Sequence, residues 1–217
     1  MSDAREVILG RIRGALADVP PAERPEDVPV AREYARHGDL SGEALVERFA
    51  ERVRDYNAEV RRVASDGVAA AVAEACAGWG LTRVAVPTGW PARWRPADVE
   101  LIGDAGLTAH ALDDINAAVT GCAVAIAETG TLILDGQAAS GRRVLTLVPD
   151  HHICIVTADQ IAGTVPEAVA ALGPAVREQR APITFISGPS ASSDIELSRV
   201  EGVHGPRHLL VVIAGDG

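Results

Sequence analysis

Residues 144–186, VLTLVPDHHICIVTADQIAGTVPEAVAALGPAVREQRAPITFI, decide the fold. Two apolar runs of strand length, Ile153–Val156 and Ile183–Ile186, lie within this stretch and at its end. Between them, Thr157–Gln160 offers a capping box, and a helix is expected to begin near Thr157 or Pro166. A strand, a helix and a second strand in this order are typical of a parallel sheet whose strands are connected by helices.

The same alternation continues outward from this stretch. Short apolar segments with strand character recur from Leu81 onward, and a helix is predicted from about Asp113 to Val119. The predicted strands are Arg83–Val86, Val99–Ile102, Val124–Ala127, Thr131–Leu134, Val144–Leu147, Ile153–Val156, Ile183–Ile186 and Leu209–Ile213. Near-continuous apolar strands indicate a sheet that is buried on both faces. The sequence therefore predicts an α/β fold with a mostly parallel central sheet and flanking helices.

The first third of the chain has helical patterns. A short apolar stripe over residues 8–19 is followed by a proline-rich linker. Apolar residues then recur at steps of three and four over residues 45–63 and again over residues 68–79, which predicts two amphipathic helices. We therefore divide the chain into a helical N-terminal extension with a linker, residues 1–65, and an α/β domain, residues 66–217.

The composition excludes several functional classes. The net charge of −10 argues against a nucleic-acid partner, since phosphate binding needs a basic surface. All 20 basic residues are arginine, so the chain has no lysine for a Schiff base, for pyridoxal phosphate or for a P-loop. No G-x-G-x-x-G motif follows a strand, which excludes a standard dinucleotide fingerprint.

Cysteine spacing and hydropathy indicate the compartment. The three cysteines, Cys76, Cys122 and Cys154, are too widely spaced to hold an iron–sulfur cluster alone, and they are typical of reduced thiols in a core. No apolar run approaches the roughly 20 residues that a bilayer span needs. The N-terminus has no signal-peptide pattern. We expect a cytoplasmic protein without a membrane span, and no motif in it names a cofactor.

A polar loop, AETGT at residues 127–131, separates two predicted strands. One interpretation is a hairpin turn in which Gly130 adopts a backbone angle that other residues avoid. The other is a functional loop in which Glu128 serves as a base, a nucleophile or a ligand beside the hydroxyl groups of Thr129 and Thr131. The local sequence leaves both interpretations open.

Two adjacent histidines, His151 and His152, precede the strand Ile153–Val156. Neighbouring residues in a strand point to opposite faces, so the two cannot chelate one ion, and we expect one to point inward and the other to be exposed. Asp150 is placed to orient a histidine through its second ring nitrogen. No H-x-x-x-H or C-x-x-C spacing supplies further ligands, and we predict no metal site.

Two more polar loops lie near the end of the chain. SGPSASSDIE, residues 187–196, follows a predicted strand, and its small residues suit the close approach of an anionic or polyhydroxy ligand. GVHGPR, residues 202–207, places His204 between two glycines just ahead of the last strand. Arg207 is available to pair with a substrate carboxylate or with Glu201. Read structurally, the first of these loops is a turn with a helix cap.

The segments AETGTLIL, LVPDHHICIV, ISGPSASSDIE and GVHGPRHLLVVI, in this order, resemble the LUD domain. More specifically they resemble the lactate-utilization protein C (LutC/YkgG-like) family, and the resemblance covers essentially the whole chain. It implies a fold of the NagB/RpiA/CoA-transferase class, which agrees with the strand and helix pattern. It also implies a role in oxidising L-lactate to pyruvate alongside two iron–sulfur partner proteins, in whose chains the clusters are expected.

Carried over position by position, the resemblance assigns functional residues to these segments. The catalytic candidates are Glu128, His152, Asp194 and His204. The substrate-binding candidates from the resemblance are Thr129, Gly130, Thr131, Ser187, Gly188, Ser190, Glu196 and Gly205, to which the reading of its own loop adds Arg207. Family members often carry an arginine after the SGPS serine, where this chain has Ala191. If that arginine holds an anion, its role is expected to fall to Arg142, Arg199 or Arg207.

Three functions from different classes stand as alternatives. In the first, the chain is a component of a lactate-oxidising system in which His204 or His152 takes a proton from lactate and an arginine fixes its carboxylate. In the second, Glu128 is the nucleophile of a transferase or ligase acting on a CoA ester or a sugar phosphate. In the third, the chain is a non-catalytic scaffold or ligand-sensing module whose N-terminal helices hold a partner. The sequence leaves open whether this chain is itself an enzyme.

Overall fold

The computed structural model describes residues 4–20, 22–27, 29–189 and 205–215. By its internal contacts the chain divides into two compact units, residues 1–34 and residues 35–217. The smaller unit contains helix α1 and a short 3-10 turn, and the larger unit contains the other elements. The α-helices are α1 Ala4–Ala15, α2 Gly42–Asp55, α3 Val68–Gly78, α4 Ala109–Ile115, α5 Val165–Ala171 and α6 Gly173–Gln179.

The strands of the larger unit form two sheets. In chain order they are β1 Glu59–Val63, β2 Arg83–Val86, β3 Glu100–Gly103, β4 Ala117–Gly121, β5 Val124–Ile126, β6 Thr131–Leu134, β7 His151–Thr157, β8 Ile161–Ala162, β9 Thr184–Ile186 and β10 His208–Ala214. The central sheet has six strands in the order β1-β10-β7-β4-β2-β3, and every neighbouring pair is parallel. The α/β fold class predicted from the sequence is confirmed.

The central sheet is covered on both faces because its strands alternate between two cores. Phe49 of α2 packs in one cluster with Cys154 and Val156 of β7. Val72 of α3 packs in another cluster with Ile153 of β7. Successive strand residues point to opposite faces, so the continuous apolar run of β7 supplies both cores at once.

The smaller sheet has the order β8-β5-β6-β9 and carries the AETGT loop as the turn of the β5–β6 hairpin. β9 pairs antiparallel with β6, with Leu132 opposite Ile186. Ala168 and Leu172, in and just after α5, pack on Ile126 and Ile133 of this sheet. The hairpin is therefore fixed by two strands and a helix.

The predicted helix over residues 45–63 is wrong in its second part. α2 ends at Asp55, Asn57 adopts a positive φ of 60°, and residues 59–63 form edge strand β1. A step of three places Val60 and Val63 on opposite faces of a strand, and they pack against different cores. The same spacing suits a helix, so the periodicity alone could not separate the two structures.

Two other predicted elements are also corrected. The predicted helix over residues 113–119 is wrong because α4 ends at Ile115, where Asn116 has a left-handed φ of 59°, and β4 follows at once. The predicted strand Val144–Leu147 is instead a 3-10 turn, Arg143–Thr146. Apolar runs this short are compatible with several local structures.

Residues 1–65, predicted as one extension, contain α1 of the smaller unit together with α2 and β1 of the larger one. The boundary at residue 65 stays a prediction about domain organisation. Within the ranges that the structure describes, no helix combines the length and the apolar character needed to cross a membrane.

Candidate functional site

Three hydroxyl groups of the predicted site form a hydrogen-bonded chain. The Oγ1 atoms of Thr129 and Thr131 lie 2.7 Å apart, and Thr131 Oγ1 lies 2.8 Å from Ser187 Oγ. The β6–β9 pairing produces this contact, because it places the start of β6 beside the residue that follows β9. Two of the four polar loops recognised in the sequence therefore meet at Thr131 and Ser187.

Ser187 also lines a small cavity of about 70 Å³. Other walls come from Gly188 and Pro189 after β9, and from Gly205 and Pro206 before β10. Pro189 and Gly205 are thus the described walls that flank residues 190–204 in the sequence. The candidates Ser190, Asp194, Glu196 and His204 lie outside the described residues, as do Arg199 and Ala191.

Among the described residues, the cation at this cavity is Arg143, which lines it together with Thr146. Arg143 Nη1 donates to the carbonyl oxygen of Thr146 at 3.2 Å and to its hydroxyl group. Burial lowers the pKa of Arg143, but a guanidinium remains charged at physiological pH. The sequence-based choice of Arg142, Arg199 or Arg207 as the anion-binding residue did not include this arginine.

His152 is buried on β7, at 1% exposure. Its Nε2 lies 2.8 Å from Thr120 Oγ1, whereas its Nδ1 has no hydrogen-bond partner among the described residues. Burial and the charge of Arg143 lower the pKa of His152 to about 4, so the ring is neutral at pH 7. As alternation predicts, His151 points the other way, where it is half-buried and stacks on His208 with ring centroids 4.7 Å apart.

The two motif glycines of this region pack against the end of α2. Gly130 has a φ of +62°, and a Cβ there would lie 2.6 Å from the backbone carbon of Arg52. Gly188 has a φ of +82°, and a Cβ there would lie 2.8 Å from Tyr56 Cβ. Both positions require glycine for conformation and for space. Their assignment to substrate binding stays a prediction.

Two candidates lie away from the Ser187 cavity. Glu128 is exposed and lines a different cleft, of about 370 Å³, together with Arg48 and Arg52 of α2. Arg207 pairs with Asp150, its Nη1 2.6 Å from Oδ2, at the amino end of β10. The described residues contain no group of three or more His, Cys, Asp or Glu side chains able to hold a metal ion.

Comparison with known proteins identifies the family. The model of the LUD domain matches residues 105–214. A lactate utilization protein C of Deinococcus radiodurans is 45% identical over 215 residues, which is 99% of this chain and 97% of that protein. This chain belongs to the LUD domain family.

Two further similarities extend over most of this LUD domain chain. An uncharacterized protein of Neisseria meningitidis serogroup B is 32% identical over 225 residues, covering 96% of this chain and 92% of that protein. The crystal structure of a DUF162 family protein from Deinococcus radiodurans matches with a TM-score of 0.71 and 42% identity. It covers 81% of this chain and 99% of that one.

The matched LUD domain segment contains every described wall of the Ser187 cavity, as well as His152 and Thr131. Arg48 and Arg52, which accompany Glu128, precede it. The sequence did offer one signal for Arg143: it is one of two arginines that follow the glycine-containing loop at residues 136–141. Only the fold shows which of the two arginines faces the cavity.

Proposed function

We propose that this protein is a component of an L-lactate utilisation system that oxidises lactate to pyruvate together with iron–sulfur partner proteins. The observation that carries the proposal is the similarity to a lactate utilization protein C along 99% of this chain. The Ser187 cavity supplies a physical site for the substrate, and its walls lie within the segment that defines the family.

The cavity suits a small hydroxy acid. Between the described walls its volume is about 70 Å³, far below the roughly 300 Å³ at which pockets for drug-sized ligands begin, which favours a ligand of a few non-hydrogen atoms. Arg143 offers a guanidinium for the lactate carboxylate, which it can bind through two parallel hydrogen bonds. The Ser187 hydroxyl stands at the end of the Thr129–Thr131 chain and is available to the 2-hydroxyl group of lactate.

The reaction removes two electrons and two protons from L-lactate to give pyruvate. The clusters of the iron–sulfur partners accept the two electrons, His204 or His152 takes the first proton, and the second proton passes to solvent water. His152 is neutral at pH 7, but a pKa of about 4 makes it a weak proton acceptor, which favours His204 as the base. This chain therefore contributes substrate binding and proton transfer, and its partners contribute electron transfer.

The test is lactate oxidation by the chain reconstituted with its iron–sulfur partners and an artificial electron acceptor. Arg143→Gln removes the carboxylate partner, and we expect the KM for lactate to rise at least about tenfold. Arg177→Gln, the same change on exposed helix α6, is the matched control and should leave KM unchanged. An unchanged KM in a folded Arg143→Gln protein would exclude Arg143 as the carboxylate partner.

A docking role for the smaller unit is a second candidate, carried by the exposure of α1. None of its residues is buried, and Val7, Ile8 and Ile12 are 43%, 56% and 47% exposed. An apolar stripe on an exposed helix is suited to a partner surface. Deletion of residues 1–34 should abolish co-purification with the iron–sulfur partners, and undiminished co-purification would reject this role.

A further inference from the structure

We propose that a second cleft, beyond the carboxyl ends of β2 and β3, binds the phosphoryl group of a small phosphorylated ligand. This cleft, named here the Asp104 cleft, has a volume of about 310 Å³ and shares no lining residue with the Ser187 cavity. Its walls are the loops after β2, β3 and β6, which contribute Thr88–Gly89, Asp104–Gly106 and parts of residues 136–142. The proposal does not depend on the lactate hypothesis.

The place of the cleft in the fold favours ligand binding. In open parallel sheets, ligands bind in crevices outside the carboxyl ends of the strands. β2 ends at Val86 and β3 at Gly103, so the loops that follow them converge at this edge. The third loop reaches the same edge from the smaller sheet, where Gly121 N donates to the carbonyl oxygen of Ala139.

A fixed arginine lines the cleft. Arg142 Nε donates to Asp104 Oδ2 at 3.1 Å, and its Nη2 donates to the carbonyl oxygens of Asp104 and of Leu107, the latter at 3.0 Å. Nη1 makes no hydrogen bond with any described residue, and the side chain is 47% exposed. Arg142 is therefore held rigidly on one side and presents two N–H groups on the other.

The neighbouring carboxylate is not available to a cation. Asp104 is 3% exposed, and its oxygens accept hydrogen bonds from Thr88 Oγ1, at 3.0 Å, and from Arg142. It neutralises part of the arginine charge and fixes its orientation. The charged group that remains accessible in the cleft is the Arg142 guanidinium, so the site selects an anion.

The walls of the cleft also carry backbone donors without a partner among the described residues. The N–H groups of Gly89, Ala105, Gly106 and Ala138, which all line the cleft, make no hydrogen bond among the described residues. They belong to three different loops, so the donors are not confined to one plane. A phosphoryl group, with three oxygens in a tetrahedral arrangement, uses such a set better than a planar carboxylate does.

Two glycines shape the cleft in different ways. A Cβ at Gly89 would lie 2.4 Å from Ala138 Cβ, so the loops after β2 and β6 are in direct contact there. Gly106 has a φ of +81°, and a Cβ there would meet nothing within 4 Å. One glycine therefore permits the close contact of two loops, and the other borders open space that a ligand can occupy.

The experiment is an NMR titration of the full-length chain with glycerol 3-phosphate, inorganic phosphate and pyruvate, following the amides of Gly89, Gly106 and Gly136. We expect saturable shifts with both phosphates, and tighter binding of the ester because the cleft is larger than a phosphate ion. Gln137→Glu adds a negative charge to an exposed wall residue and should weaken binding of the ester about fivefold.

Gln179→Glu, the same change at the exposed end of α6, is the control and should leave the affinity unchanged. Gln137 is exposed and its side chain makes no hydrogen bond with any described residue, so the fold tolerates the change. Absence of saturable shifts with either phosphate would overturn the proposal. Tighter binding of pyruvate than of the ester, or equal affinity of the ester for wild type and Gln137→Glu, would overturn it as well.

Discussion

The Ser187 cavity and the Asp104 cleft are built from opposite kinds of sequence. The cavity is lined mostly by residues of the motif segments. Some residues of these segments serve packing, as Gly130 and Gly188 do where they contact the end of α2. The cleft is lined by loops without a recognised motif, yet it holds a charged pair with a buried carboxylate, and backbone donors that have no partner among the described residues. A conspicuous motif therefore need not mark every binding surface, and inconspicuous loops can form one where strand ends converge.

The sharpest contrast between the two regions is at their glycines. Gly130 and Gly106 both have a positive φ, but only Gly130 has backbone atoms where a Cβ would stand. Gly130→Ala should cost about 3 kcal/mol in the free energy of unfolding, from backbone strain together with overpacking. Gly106→Ala adds only the strain, about 1 kcal/mol. Urea denaturation of both variants checks the difference, and equal losses would contradict a packing role for Gly130.

A second contrast is the charge state of the buried polar groups. His152 on β7 is held neutral, with a pKa of about 4 in the folded protein against about 6.5 unfolded. Below pH 6.5 His152 binds a proton in the unfolded chain but not in the folded protein. The free energy of unfolding therefore falls between pH 6.5 and pH 4. The expected loss from His152 alone is about 3 kcal/mol at pH 4, and stability above pH 7 is unaffected by it.

The measurement is the free energy of unfolding at pH 7 and pH 4.5 for wild type and His152→Gln. Because carboxylates also titrate in this range, the decisive quantity is the difference between the two proteins. The variant should lose less stability on acidification than wild type does. Parallel pH profiles would show that His152 is not held neutral by burial.

Substitution in the charged pair of the Asp104 cleft is expected to have an intermediate effect on the free energy of unfolding. Asp104→Asn weakens the bonds to Arg142 and Thr88, and we expect a loss of about 2 kcal/mol in the free energy of unfolding. Asp113→Asn, at an exposed position on α4, is the matched control and should be nearly neutral. Equal free energies of unfolding for the two variants would show that the Asp104–Arg142 pair stabilises the fold no more than a surface contact does.

The smallest effect is expected at Arg207, which lies outside both regions. Its pair with Asp150 is largely exposed, so Arg207→Gln should change stability by less than about 1 kcal/mol. The KM for lactate should also stay unchanged in the reconstituted system. A raised KM for lactate would indicate that Arg207 binds the substrate, and it would contradict the assignment of carboxylate binding to Arg143.

Much of the fold could be predicted from the local sequence pattern, and the errors of that prediction have a common cause. β2 and β6 were predicted with the bounds that the structure shows, because strongly apolar runs between turn residues admit few alternatives. β4 was missed because AAVTG has weak strand propensity and becomes a strand by pairing between β2 and β7, where all five residues are buried. β1 was missed for a related reason, because the spacing of its apolar residues also fits a helix.

By itself, the sequence determined the α/β class, the acidic and lysine-free character, and the family signature in its four polar segments. The tertiary structure decided which side chains share a site. It joined Thr131 to Ser187 across 56 residues and Asp104 to Arg142 across 38, and it placed Glu128 in a cleft of its own. Local propensity acts over a few neighbouring residues, whereas strand pairing and burial act between distant segments, and a binding site is assembled by the latter.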